Sequence, residues 1–325
     1  MKIALLDIKV GTKVGCKFTA VNMRNMAILQ KELNADFYYS TDQLINNNKQ
    51  YDVFIFGFAG RNSEIEKQIE FIKKSISYKL FWLVGEYEQN DYPALFYICK
   101  RNKIKYNLIK NYNKTEKREL IDNQYELNLN ILIAKQANQL TEKKYDCIYY
   151  GRWREDRADY FKKYIQGGLY LSTSIKNMKK FKHDGCNPKY LDTISWVDRK
   201  ETLNLFKYSL YIEDKYTHKV FNNLANRWYE AGFCNVVVFF DINCLNTICK
   251  SEIAYYEEQI KDYIVSDYES LKTKIDYCNK DFEKHLAIQK SWRLSESLHR
   301  KEMIKKLKSI IENEQHNENE HYKGA

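Results

Sequence analysis

Short apolar runs alternate with segments of helical periodicity along the first half of the chain. Residues 51–58 (YDVFIFGF) form a continuous apolar run, typical of a parallel strand that is covered on both faces. In residues 23–33, by contrast, Met23, Met26 and Leu33 recur at helical spacing. The pattern predicts strands over residues 3–10, 35–39, 51–58, 79–85 and 103–109, and helices over residues 23–33, 64–75 and 126–138.

The same alternation restarts near residue 145. It predicts strands over residues 145–151, 169–172, 210–212 and 236–240, and helices over residues 156–165, 199–208, 222–232, 268–277 and most of 282–311. Gly232 is expected to cap the helix over residues 222–232 at its C-terminal end. Alternating strands and helices give parallel sheets with right-handed crossovers. The fold class is therefore α/β, with two Rossmann-like domains whose parallel sheets face a central cleft.

The restart places a domain boundary near residues 139–144. We expect an N-terminal domain over residues 1–140, a C-terminal domain over 145–295, and a helix over 296–312 that returns toward the N-terminal domain. Residues 313–325 are polar and are expected to be disordered. Ligands of open α/β sheets bind beyond the carboxyl ends of the strands, so the cleft between the domains is the expected site.

Composition narrows the class of protein. Lys and Arg exceed Asp and Glu by 53 to 43, and the net charge of +10 makes a polyanion such as nucleic acid a candidate partner, although a Lys-rich genome would give the same excess. No apolar run approaches the roughly 20 residues of a membrane span, so we expect no membrane partner. The eight cysteines form no CxxC pair, and we expect reduced thiols and a cytoplasmic protein. The scattered histidines predict no metal site, and the motifs of dinucleotide, P-loop and hydrolase sites do not occur.

The turn after the strand at residues 145–151 is the first candidate site. Gly151 would let a ligand approach the backbone at the positive end of a helix. Arg152, Arg154 and Arg157 follow it, and arginine forks suit a diphosphate. The alternative is a solvated helix start, in which the arginines pair with Glu155, Asp156 and Asp159.

Arg227 and Glu230 are the second candidate pair. They are three residues apart and therefore share one face of a helix. Glu230 could accept hydrogen bonds from two ribose hydroxyls, with Arg227 on phosphate. An exposed ion pair of about 0.3 kcal/mol is the alternative.

Glu86 follows the apolar strand KLFWLVG and is the third candidate. A carboxylate beyond a strand end faces the cleft and could act as general base toward an attacking hydroxyl. The alternative is an ordinary loop glutamate, since Glu88 and Asp91 are close by in the sequence.

These three groups occur in the order and register found in one family. The sequence resembles the T-even bacteriophage DNA β-glucosyltransferases, which are GT-B enzymes. The likeness is clearest over residues 145–307. It includes the Gly-x-aromatic-Arg turn at 151–154, Asp-Lys-Tyr at 214–216, Arg-x-x-Glu at 227–230, the strand that ends in Asp241, and the long C-terminal helix. In the N-terminal half it consists of the opening Met-Lys-Ile-Ala and of WLVGE, where the family carries an aspartate base.

The resemblance implies UDP-glucose as donor and 5-hydroxymethylcytosine in double-stranded DNA as acceptor, with inversion at the sugar and flipping of the base. It assigns Arg154, Arg157 and Arg227 to the diphosphate and Glu230 to the ribose. Tyr216 would line the donor pocket and Glu86 would replace the aspartate base. The DNA would bind the N-terminal domain. We expect a monomer. If a phage encodes the chain, we expect the protein in the cytoplasm of the host cell.

Other interpretations stay open at this point. The donor sugar, the modified base and any help from Mg²⁺ or Mn²⁺ are not fixed by the sequence. A GT-B enzyme acting on protein, lipid or polysaccharide would keep the same donor site. A non-catalytic nucleic-acid-binding protein on a degenerate version of the fold would keep the basic charge.

Overall fold

The computed structural model describes residues 1–7, 21–57, 62–75, 77–84, 93–110, 124–129, 132, 142–165, 169–194, 201–215, 224–314 and 317–318. Within these residues the chain forms two sheets, each with six parallel strands, and helices pack around both. The alternation that the sequence predicts is therefore confirmed as an α/β architecture.

The first sheet has the strand order β2-β1-β3-β4-β5-β6. Its strands are β1 (Ile3–Leu6), β2 (Asp36–Tyr38), β3 (Val53–Gly57), β4 (Ser77–Val84), β5 (Asn107–Lys110) and β6 (Gln124–Glu126). The helices that accompany it are α1 (Val21–Leu33), α2 (Thr41–Asn46), α3 (Asn62–Ile72) and α4 (Pro93–Arg101).

Both faces of the first sheet are covered. Ile3 and Leu5 belong to one apolar cluster, while Ala4 and Leu6 belong to another on the opposite face. Successive residues of a strand point to opposite faces, so an uninterrupted apolar run is what a strand between two helical layers requires.

The second sheet has the order β12-β11-β10-β7-β8-β9. Its strands are β7 (Tyr145–Tyr150), β8 (Tyr170–Ser172), β9 (Lys189–Leu191), β10 (Phe206–Tyr211), β11 (Val237–Asp241) and β12 (Ile264–Val265). Its α-helices are α5 (Glu155–Lys162), α6 (Ile175–His183), α7 (Glu201–Asn204), α8 (Asn226–Phe233), α9 (Leu245–Ile248), α10 (Glu257–Ile260) and α11 (Tyr268–Asn279).

The last helix, α12 (Phe282–Asn313), contacts both sheets. Its 32 residues span about 48 Å at 1.5 Å per residue. Near its start, the Gln289 side chain exchanges two hydrogen bonds of 2.8 Å with the backbone of Val238 in β11. Near its end, the buried Lys79 of β4 donates to the carbonyl oxygens of Ile311 and Glu312 at 2.7 and 2.8 Å. The ammonium group thus caps the carbonyl end of the helix, where a positive charge is favourable.

Four details differ from the sequence-based expectations. Among the described residues of the segment predicted as a helix over 199–208, only α7 is helical. Strand β10 begins at Phe206 because the run FKYSLY lies between β7 and β11 in the middle of the sheet. The helix predicted over 126–138 is also wrong at its start, because Gln124–Glu126 pairs with β5 as β6. Within the tail expected to be disordered, β13 (Asn317–Glu318) pairs antiparallel with β4.

The fourth difference concerns Gly232. Helix α8 continues to Phe233 and ends at Cys234, so Gly232 is not its cap. A Cβ at Gly232 would collide with the guanidinium of Arg293, which stacks 3.9 Å above the Trp228 ring. The glycine therefore provides space for α12 to pack against α8, and the left-handed residue beyond the helix is Asn235, with φ 53°.

Candidate functional site

Gly151 lies at the carboxyl end of β7, in the turn that leads into α5. Its backbone N–H donates to Ser172 O at 3.2 Å, and its carbonyl accepts from the Thr173 hydroxyl at 2.6 Å. Both bonds attach the turn to the end of β8. The Arg154 backbone is extended, and this residue caps the start of α5 without a hydrogen bond from its side chain. The turn is thus fixed by backbone contacts, and the arginine side chains that follow it can reach other groups.

Arg157 is buried beneath this turn. Its Nη2 atom donates to Glu213 at 2.7 Å and to Asp214 at 2.8 Å, and its Nη1 donates to the Arg152 carbonyl at 3.3 Å. The alternative pairing of Arg157 with the acids of its own helix is therefore wrong. Two acids just beyond β10 hold it instead, because the ends of the neighbouring parallel strands β7 and β10 meet at one edge of the sheet.

Glu213 joins Arg157 to Arg227. One of its carboxylate oxygens accepts from Arg157 and the other from Arg227 Nη2, which also donates to the Ile212 carbonyl at 3.0 Å. The Arg227 guanidinium lies over the ring of Tyr211, 5.4 Å from its centroid. Sequence reasoning missed Glu213, although two consecutive acids directly after a buried strand are a visible signal.

The two predicted motifs meet at Gly151 and Arg227. A Cβ at Gly151 would lie 3.1 Å from Arg227 Nη1. Because glycine has no side chain, the guanidinium can occupy this position. The neighbouring Tyr150 hydroxyl donates to the Arg227 carbonyl at 3.1 Å. The end of β7 and the start of α8 therefore form one continuous surface.

Glu230 is 3% exposed and lies beside Tyr150. Burial raises the pKa of Tyr150 well above its ordinary value, and the nearby negative charge and hydrogen bond of Glu230 raise it further. Arg227 has only 13% of its side chain exposed and binds Glu213. The alternative of an exposed ion pair between Arg227 and Glu230 is therefore wrong.

The other predicted site residues fall in different places. Arg152 and Arg154 are exposed at the rim, and Arg154 Nε lies 3.9 Å from an Asp214 carboxylate oxygen. Glu86 and Tyr216 lie outside the residues that the structure describes. Asp241 is fully buried and caps the 3-10 turn after β11, so it serves the fold.

Four arginines and three acids make up a charged cluster at this site. Seven charged residues gather there: Arg152, Arg154, Arg157, Arg227, Glu213, Asp214 and Glu230. The Nε atom of Arg227 is buried and finds no hydrogen-bond partner among the described residues. Buried donors of this kind are usually satisfied, which makes the cluster suited to an anionic ligand.

Comparisons with known proteins place the fold. No family model and no curated protein matches the sequence. Among solved structures, T4 phage β-glucosyltransferase superposes with a TM-score of 0.65 at 17% identity, over 96% of this chain and 99% of that chain. An α-glucosyltransferase in complex with UDP-glucose and DNA containing an abasic site superposes with a TM-score of 0.66 at 10% identity, over 96% and 100%.

The chain has a GT-B fold. A third structure with this fold, T4 phage β-glucosyltransferase in complex with UDP and Mn²⁺, superposes with a TM-score of 0.65 at 16% identity, over 96% and 99% of the two chains. At these identities the likeness establishes the fold alone.

Two further features of the described residues bear on ligands. They contain no group of three or more His, Cys, Asp and Glu side chains that could hold a metal ion. In the same part of the chain, no helix is both long enough and apolar enough to cross a membrane.

Proposed function

We propose that this protein transfers glucose from UDP-glucose to the hydroxymethyl group of 5-hydroxymethylcytosine in double-stranded DNA. The observation that carries the proposal is the meeting of the Gly151 turn with Arg227 and Glu230 in one charged surface at the carboxyl end of β7. Its supports are the GT-B fold, shared with structures that bind UDP-glucose and DNA, and a net charge of +10.

The donor half of the proposal uses residues 151–157 and α8. Glu230 would accept the two ribose hydroxyls, since a buried carboxylate offers two oxygens in a fixed orientation. Arg227 and, from beneath the turn, Arg157 would supply positive charge to the diphosphate, while Glu213 holds both guanidinium groups in place. Arg154, exposed at the rim, would complete the contacts to phosphate. Tyr216 would line the pocket.

A resident metal does not fit the described part of the site. The acids nearest the proposed diphosphate, Glu213 and Asp214, are already bound to arginines, and no metal-binding group of side chains occurs among the described residues. Charge on the departing diphosphate is therefore assigned to the arginines in this proposal. Fixed positive groups of this kind are usually a large part of catalysis.

The acceptor half of the proposal places the base at Glu86. The acceptor hydroxyl oxygen would attack the anomeric carbon as the bond from that carbon to the β-phosphate oxygen breaks. The configuration inverts, Glu86 takes the hydroxyl proton, and UDP leaves. A stacked base cannot present its hydroxymethyl group in line, so it would be flipped at a cost of about 3 kcal/mol.

The test offers a panel of UDP-sugars with hydroxymethylated and unmodified duplex DNA, followed by mass spectrometry of the nucleosides. The expected result is a hexose mass on hydroxymethylcytosine with UDP-glucose alone. Transfer to protein, lipid or polysaccharide instead would identify a different GT-B enzyme. DNA binding without any thermal shift from UDP-sugars would identify a non-catalytic binding protein, and either outcome would overturn the proposal.

A further inference from the structure

Helix α6 carries an unusual concentration of positive charge. Its nine residues, IKNMKKFKH, include Lys176, Lys179, Lys180 and Lys182 and no acid. None of these lysines forms an ion pair with a carboxylate that the structure describes. The opposite face is anchored by the buried Phe181, whose ring packs against Tyr149 and Phe161 at 6.4 and 5.6 Å between centroids. The lysines therefore stand on a rigid element.

Helix stability does not account for all of this charge. Lys180 and Lys182 lie in the last turn, where cations are favourable. Lys176 lies in the first turn, at the positive end of the helix dipole, and no acid is present there to offset it. A cation at that position opposes helix formation. Helix stability therefore does not explain the lysine at this position.

The basic helix adjoins the proposed donor site. It begins directly after β8, whose end is bonded to Gly151 through Ser172 and Thr173. The donor turn and the helix are also joined by Trp153. Its indole donates to Asp184 at 2.5 Å, and Lys180 Nζ lies 4.2 Å from the centre of its ring. A strand of DNA that delivers a base to the donor would pass close to this helix.

We propose that the exposed face of α6, formed by Lys176, Lys179 and Lys182, binds the phosphate backbone of the acceptor DNA. This inference rests on the proposed function and extends it. DNA would contact the second sheet as well as the N-terminal residues 1–140. Unneutralised lysines at successive turns match a row of phosphates, and such contacts supply affinity without reading sequence.

The experiment compares two triple variants that remove the same charge. In one, Lys176, Lys179 and Lys182 are changed to Gln. In the control, the exposed Lys272, Lys280 and Lys284 are changed to Gln; they lie on α11, its C-cap and the start of α12, which follow β12 at the opposite edge of the sheet. Affinity for a fluorescent duplex is measured by anisotropy over a range of salt concentrations, and UDP affinity by calorimetry.

The α6 triple variant should bind duplex DNA about tenfold more weakly at low salt. Its slope of log affinity against log salt should be smaller by about 0.9 for each phosphate that the substituted lysines no longer neutralise. UDP affinity and the thermal midpoint should stay at the wild-type values. Equal reductions in DNA affinity in the α6 and control variants would contradict the proposal that α6 binds DNA. If the wild type fails to bind UDP, the proposed donor site is wrong. The comparison of DNA affinities between the variants remains valid in that case.

A single change separates a binding role from a structural one. Lys176→Glu places a favourable charge at the helix start, so the thermal midpoint should stay equal or rise. The same change should weaken DNA binding more than Lys176→Gln does. A variant whose DNA affinity falls only in proportion to a lower thermal midpoint would contradict the proposal.

Discussion

Glu213 is bound to Arg157 by a 2.7 Å hydrogen bond in which both side chains are buried, and its second oxygen accepts from Arg227. The pair links the two segments that carry the proposed donor site. Removing the carboxylate would leave two guanidinium groups short of a buried counter-charge. Such a loss is far more costly than the loss of a surface pair.

Glu213→Gln should therefore lower the free energy of unfolding by about 3 kcal/mol, measured by urea denaturation. The matched control is Asp159→Asn, which breaks the exposed pair between Asp159 and Lys162 and should cost less than about 0.5 kcal/mol. Similar values for the two variants would mean that the buried pair is not a structural support.

Glu230→Ala should weaken UDP binding by about 1–3 kcal/mol, because the ribose hydroxyls would lose their acceptor. Isothermal titration calorimetry with UDP measures this directly. Glu257→Ala removes an exposed carboxylate from the start of α10 and should leave UDP affinity unchanged. If Glu230→Ala binds UDP with unchanged affinity, Glu230 does not contact the ribose.

Gly151→Ala should reduce UDP affinity more than it reduces stability. The new methyl group would lie 3.1 Å from Arg227 Nη1 and 3.2 Å from the hydroxyl of the buried Tyr149, so the guanidinium, at the end of the longer side chain, would shift. Gly185→Ala is the contrasting variant. No atom lies within 4 Å of the position of a Cβ at Gly185, but its φ of 83° would strain an alanine. The free energy of unfolding should therefore fall by about 1 kcal/mol, while UDP affinity should stay unchanged. The reverse pattern would argue against contact between the turn and the ligand.

Much of this site could be predicted from the sequence. A glycine after an apolar strand, with arginines at the following helix start, and Arg-x-x-Glu on α8 are local patterns, and the structure brings them together because parallel strands end at one edge. The role of Glu213 could not be predicted, since its partners lie 56 and 14 positions away. The helix prediction over residues 199–208 holds for α7 and is wrong from Phe206 onward for a related reason: the helical spacing there is weaker than the pairing of β10 with two neighbours.

Lys143 should make stability depend on pH. Burial lowers its pKa from 10.5 to about 8, and its ammonium donates to the Cys234 carbonyl at 3.0 Å. The unfolded chain binds the proton more tightly, so unfolding takes up a proton between pH 8 and pH 10.5. The contribution of this group to stability should therefore rise with pH across that window and be flat below it. Urea titrations of the wild type and Lys143→Met at about pH 7.5, 9 and 10.5 check this, because these values lie below, within and at the upper end of the window. A constant difference between the two proteins would contradict the burial of the amine.

Glu86→Gln should abolish most of the turnover while leaving UDP affinity intact. Residue 86 follows β4, which ends with the buried Val84 at the carboxyl edge of the first sheet. A general base contributes about 10²–10⁴-fold to a rate, and glutamine keeps the shape of glutamate without accepting the proton. Glu88→Gln, two residues further on, is the matched control and should keep near-normal turnover. If Glu86→Gln keeps near-normal turnover, or if Glu88→Gln loses as much turnover as Glu86→Gln, then Glu86 is not the base. Another group must then accept the proton of the acceptor hydroxyl.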